Sequence, residues 1–331
     1  MSKVITILIG LIVVVAMTGA IFLLEKTHFE GEKNFVVAKG EPSGLVAQHL
    51  KEQGIIRNEL IFKLYVRLRG WQNDIQAGEY IFVADSVFGV TKKLVSGKAA
   101  NERDLRLIEG WTASDMADYL ITQKIITKRD EFLNETRDAK KWQNEFQFLK
   151  DTGAINLEGF LFPDTYRVYK NATPGEIVTR TLENFNNKIT SALLTEIKAR
   201  GRNLYDILKM ASIIEAEVIG EEDRKIAAGI LWKRLDTGMA LQVDSSLKYV
   251  IGKKDSPSLT TAELKIDSPY NTYKYRGLPP TPISNPGLSA IRAAVYPKNS
   301  DFWFYLTTKE GETVFSKTLD DHNAAIRKYL K

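Results

Sequence analysis

The feature that most constrains this chain is an uncharged run from Val4 to Leu24, preceded by Lys3 and closed by Glu25. At about 1.5 Å of rise per residue its 21 positions reach roughly 31 Å, the depth of one hydrocarbon core. The run is too long for the apolar part of a cleaved signal, and no crisp small-x-small cleavage site stands before Glu25. It predicts a retained transmembrane helix over 4–24, with a cleaved signal as the alternative. Lys3 and the free amine lie on the short side, so residues 1–3 are expected to form a cytoplasmic tip. The rest of the chain is then expected in the periplasm or its extracytoplasmic equivalent, held at the inner (plasma) membrane by one pass.

Beyond the anchor the chain is ordinary globular material, 44% hydrophobic and 26% charged overall, long enough for two domains. Cysteine is absent, which removes disulfides, thiolate nucleophiles and thiolate metal sites together. His28, His49 and His322 are far apart in sequence, which argues against a histidine-built zinc centre. No cofactor and no metal are expected, and chemistry falls to carboxylates, hydroxyls, lysines or amides. The net charge of +5 is small and scattered, with no basic stripe interleaved with aromatics, so nucleic acid is not an expected partner.

A charged linker (25–34) leads into a repeat. Shifting the chain by 70 places aligns Gly40 with Gly110, Ala47 with Ala117, Leu50 with Leu120, Gln53 with Gln123, Ile55 and Ile56 with Ile125 and Ile126, and Phe62 with Phe132. Each copy reads as a strand, a glycine turn and an amphipathic helix. In the first copy a second helix (58–68) and a return strand (77–83) complete a βααβ unit, expected over 35–104. The larger α+β domain is expected over 105–331. Thr173-Pro174-Gly175-Glu176 opens a helix there, with Thr as cap, Pro first and Glu three after the cap. Seven of the ten prolines lie between Pro257 and Pro297, which predicts a long ordered loop, the kind of segment that builds sites.

A further helix is expected from Asn203 to about Val218. At roughly 100° per residue, Leu204, Ile207, Leu208, Ala211 and Val218 share one face, and Glu215 points the same way. Glu217 falls on the opposite side with Asp206 and Lys209, where a solvated carboxylate is expected. A carboxylate in an apolar stripe loses hydration, which raises its pKa and suits it to general acid work near neutral pH. The competing reading is a Glu paired with Arg224 or Arg234 for architecture alone.

Four segments, LEGFLFPDTYRV (157–168), ASIIEAE (211–217), LQVDSSLKY (241–249) and YNTYKYRGLPPTPISNPG (270–287), in this order, resemble the endolytic murein transglycosylases of the MltG, or YceG-like, family. The resemblance spans residues 35–331. It implies an α+β architecture of a transmembrane helix, a small LysM-like βααβ module and a larger catalytic domain. The family's catalytic acid and base maps onto Glu215, the residue singled out by the helical wheel. Ala216, Ser245-Ser246 and Thr281 depart from the family's common residues, which bears on substrate contacts more than on the reaction.

The resemblance implies a lyase that cuts the bond between N-acetylmuramic acid and N-acetylglucosamine in peptidoglycan without water. The muramic 6-hydroxyl attacks its own anomeric carbon and leaves a 1,6-anhydro end. An intramolecular nucleophile of this kind supplies up to about 7–11 kcal/mol, so one carboxylate suffices where hydrolysis uses two. Tyr273 and Asn271, with Gln242, Glu158 and Asn285, are the expected substrate contacts; packing of the loop is the alternative for each. Asp244 is expected to cap the following helix. Peptidoglycan strands are the expected partner, with cell wall synthases as further candidates. The rival function is a non-catalytic anchored scaffold that binds glycan and recruits synthases. Ser245-Ser246-Leu247-Lys248 also matches S-x-x-K, without the companion elements of acyl-enzyme chemistry.

Overall fold

The computed structural model describes residue 27 and residues 29–97, 102–253, 256 and 259–330. The expected anchor at 4–24 lies outside the described residues; among those described, no helix is long and apolar enough to cross a membrane. The chain divides into two compact units, Met1–Arg103 and Asp104–Lys331.

In the first unit, strand β1 (Lys33–Val37) is followed by α1 (Ser43–Glu52), α2 (Glu59–Leu68), β2 (Gly78–Phe82) and α3 (Val87–Ser96). The two strands pair antiparallel, with Phe35 opposite Tyr80 and Lys33 opposite Phe82. Their inward residues Phe35, Val37, Tyr80 and Phe82 close on Leu50, Phe62, Val66 and Leu94. Asn58 caps α2 by accepting the Leu60 amide, and Ser86 caps α3 by accepting that of Gly89.

The second unit opens with the other copy of the repeat. Strand β3 (Glu102–Arg106) leads to α4 (Ala113–Thr122) and α5 (Arg129–Thr136). Gly40 and Gly110 hold nearly the same left-handed φ, +77° and +76°, and Gly54 (+64°) is matched by Lys124 (+56°). The sequence suggested only a strand, turn and helix for this copy. Its return strand exists as β4 (Thr165–Tyr169), paired with β3. An insertion carrying a 3-10 turn (Ala139–Trp142) and α6 (Gln147–Thr152) separates it from α5.

Beyond β4 the chain is mostly helical: α7 (Pro174–Lys188), α8 (Ser191–Ala199), α9 (Leu204–Glu217), α10 (Glu221–Asp236), α11 (Asp244–Ile251) and α12 (Leu288–Val295). Thr173 and Glu176 form the expected capping box at α7, and Asn203 caps α9. Helix α9 is the spine, packed on α10, α11 and α12. Leu208, Met210, Ala211, Ser212, Ile213 and Ile214 on it are all buried, so residues 210–214 present no solvent face, and exposure returns at Ala216 in the last turn. The unit ends in a hairpin, β5 (Phe304–Thr307) and β6 (Thr313–Ser316), with α13 (Leu319–Tyr329) packed on both strands.

Candidate active site

The last turn of α9 opens on a groove of about 1460 Å³, larger than the roughly 300–1,000 Å³ that holds a small metabolite. Its walls come from the β3–α4 turn, the start of α11, the 270–287 loop and strand β5, with Glu215 among the lining residues.

One Glu215 oxygen receives Nη2 of Arg224 at 2.5 Å, and the other receives the Gly287 amide at 2.9 Å. The pairing with an arginine foreseen as the architectural alternative is therefore present, through Arg224. Arg234 is spent elsewhere: its guanidinium donates to the carbonyls of Trp303 and Leu241. Pairing has not sealed Glu215 away, because its side chain keeps 5% exposure and lines the groove. A carboxylate has about four lone-pair positions, so two donors leave it able to exchange a proton. Burial pushes its pKa above the usual range; Arg224 and the Gly287 amide oppose this, and the nearby charge of Glu109 adds to it.

Glycine at 287 keeps a side chain off Glu109, while Gly110 meets Glu215 only at ordinary contact distance. A Cβ on Gly287 would fall 2.0 Å from Oε1 of Glu109, and one on Gly110 would lie 3.5 Å from Cγ of Glu215.

Glu217 departs from the wheel. It was expected in solvent; it lines the same groove and accepts the Ser245 amide at 3.2 Å, and burial raises its pKa. The wheel sets Glu217 outward, and the start of α11, which supplies the Ser245 amide, covers it there. Asp244 does not cap α11 either: Val243 holds the cap position, and Asp244 accepts the Tyr273 hydroxyl at 2.6 Å.

Of the expected contacts, Glu158, Gln242 and Tyr273 line the groove. Glu158 is buried and accepts the Ala113 amide at 3.1 Å, Nδ2 of Asn285 at 2.8 Å and the Tyr249 hydroxyl at 3.4 Å. Its carboxyl is pushed up to about 7, chiefly by burial, with these donors pulling the other way. Gln242 sits in the left-handed region at φ +53°, which points to a constrained turn. Asn271 and Asn285 are fully buried and outside the lining. Asn271 donates to the carbonyls of Leu264 and Ile266 and accepts the amides of Tyr273 and Lys274. Asn285 accepts the amides of Gly159 and Leu161 and donates to Trp111 and Glu158. Asn271 spends its polar atoms on the backbone of the loop and the segment just before it, and Asn285 spends its own on the Trp111 turn and residues 158–161.

Sequence reasoning passed over Glu109, Trp111, Tyr249 and Tyr305, all of which line the groove. The alignment of Gly40 with Gly110 marked the turn that carries Glu109 and Trp111, but not its closeness to Glu215. Among the described residues no cluster of His, Asp and Glu is placed to hold a metal ion.

A profile of the YceG-like family matches residues 35–328. An endolytic murein transglycosylase of Bacillus subtilis is 31% identical over 306 residues, 90% of this chain and 84% of the relative. One from Streptococcus pneumoniae is 28% identical over 324 residues, 89% of this chain and 58% of the relative. The crystal structure of a putative YceG-like protein from Listeria monocytogenes superposes with a TM-score of 0.62 at 30% identity, over 90% of this chain and 100% of that one.

Proposed function

Because the chain belongs to the YceG-like family, we propose that it is an endolytic murein transglycosylase, with Glu215 as its one acid and base. The observation that carries this reading is a carboxyl whose hold on its proton is strengthened by burial, facing a groove sized for a polymer. Protonated Glu215 gives its proton to the oxygen joining N-acetylmuramic acid to N-acetylglucosamine, and the anomeric C–O bond breaks with its electron pair leaving on that oxygen. The resulting carboxylate then takes the proton of the muramic 6-hydroxyl as O6 bonds to the anomeric carbon. No water is consumed, and the product carries a 1,6-anhydro end. Arg224 has a matching role, since its charge steadies the carboxylate between the two proton transfers.

Tyr273 and Gln242 are proposed as groove contacts for the strand, and Glu158 as the carboxyl that sets the groove wall. The first unit is proposed as a LysM-like glycan-binding module, and residues 4–24 as the inner-membrane anchor that leaves the catalytic unit extracytoplasmic. Synthases that make the strand are the proposed neighbours.

The test is the full chain and its Glu215→Gln variant on uncrosslinked glycan strands, with products read by mass spectrometry. The wild type is expected to release 1,6-anhydro ends. The variant is expected to lose roughly 10²–10⁴-fold in rate with its circular dichroism unchanged. A wild type that makes no such ends leaves the scaffold reading standing; an active Glu215→Gln variant moves the chemistry to another residue.

A further inference from the structure

The β5 wall of the groove carries polar groups that the reaction at Glu215 does not use. The Tyr305 hydroxyl oxygen is buried and has no hydrogen-bond partner among the described residues, yet Tyr305 lines the groove. Nδ1 of His322 on α13 is also buried and unpaired among the described residues, but its ring stacks on Phe304 at 5.3 Å between centroids, on the opposite face of the strand from Tyr305. A buried polar atom left unpaired costs about 1–3 kcal/mol, and folded proteins seldom keep one without a reason. An unpaired phenol hydroxyl on a groove wall points to a ligand.

The position of this wall is well determined. The Thr307 hydroxyl donates to the Glu217 carbonyl at 2.8 Å, which fastens β5 to the end of α9. Residues 305 and 307 share a strand face, and both line the groove. Glu217 therefore lies beside Tyr305, and its charge acts on that phenol.

The surroundings narrow the ligand. An O–H donor without an acceptor calls for an acceptor, which an ammonium group lacks. A carboxylate or phosphate would meet Glu217 and Asp244, while the buried guanidinium of Arg234 is already committed to backbone carbonyls and that of Arg224 to Glu215. What remains is a neutral group that both accepts and donates.

We propose that the β5 wall is a subsite for the N-acetyl amide of a hexosamine, with Tyr305 donating to the amide carbonyl and Glu217 taking its N–H. This rests on the transglycosylase reading for its choice of sugar. It adds a specificity-determining residue that neither protonates nor attacks the scissile bond.

The test is Tyr305→Phe in the full chain, held in detergent. Three readouts apply: melting temperature, KM for uncrosslinked strands, and affinity for tri-N-acetylchitotriose against cellotriose, which has no acetamide. Removing an unpaired hydroxyl leaves the melting temperature unchanged or raised. KM and the chitotriose dissociation constant are each expected to rise about three- to tenfold, the worth of one neutral hydrogen bond, while cellotriose binding stays as it was. Comparing variant with wild type removes any share of binding due to the first unit. Unchanged KM and chitotriose affinity overturn the subsite, as does a melting temperature lowered by several degrees, which would reveal a structural partner for the hydroxyl. A wild type that makes no anhydro ends defeats the transglycosylase reading alone, because the chitotriose and cellotriose comparison still decides the subsite.

Discussion

Glu215 is pulled in two directions, upward by burial and downward by Arg224, and each pull has a measurable sign. Replacing Arg224 with Gln removes the downward pull. The alkaline limb of the kcat/KM profile, where the acid loses its proton, should then move to higher pH, and an unmoved limb would mean that another group is the acid. Glu158 makes a prediction about stability. Its carboxyl holds a proton to about pH 7 in the folded chain against 4.5 for a free one. The stability this contributes is complete below pH 4.5 and is lost as pH rises through 7, a fall of about 3 kcal/mol. The urea midpoint of the wild type should drop between pH 5 and 8, and Glu158→Gln should flatten that drop; parallel pH profiles would reject the assignment. Glu215 was legible in the sequence because an acid in a run of Leu, Ile and Ala breaks the pattern around it. Glu217 was not, because a helical wheel assumes a solvent side and cannot count the neighbours that cover it.

At the level of elements, the repeat was legible as far as its spacing held. The offset of 70 carried through strand, turn and both helices, and it failed at the return strand because the insertion between α5 and β4 breaks the register. The match extends to backbone shape, since Lys124 takes the left-handed conformation that Gly54 takes in the other copy. That conformation costs a side-chain-bearing residue about 1–2 kcal/mol. Lys124→Gly is therefore expected to raise the melting temperature of the second unit by about 2–4 °C without altering the rate on glycan. A lowered melting temperature would show that the lysine side chain contributes more than its backbone costs. The 270–287 loop was legible as a site-builder from its prolines. Which of its side chains face inward was not, because Asn271 and Asn285 have the same chemistry as residues that bind sugar and use it on the backbone.

For the molecule as a whole, every residue lining the groove belongs to the unit from Asp104 onward, whereas the proposed anchor lies at 4–24, so the proposal makes catalysis and attachment separable. Deleting residues 2–24 should move the protein from the membrane pellet to the supernatant while its rate on isolated strands stays within about twofold, less than the loss of one hydrogen bond would cause. Full-length protein that alkaline carbonate strips from membranes would refute the anchor. The proposed division rests on composition, because an uncharged run and a charged globular remainder suit different solvents. One feature of the site also bears on its lifetime. Asn285 ties the Trp111 turn, Glu158 and the 159–161 backbone together, and its conversion to Asp would set a second carboxylate against Glu158. Spontaneous deamidation starts when the next residue's amide nitrogen attacks the side chain, and that residue is Pro286, which has no N–H. The asparagine on which the groove depends is thus shielded by its neighbour from the commonest route by which asparagines age.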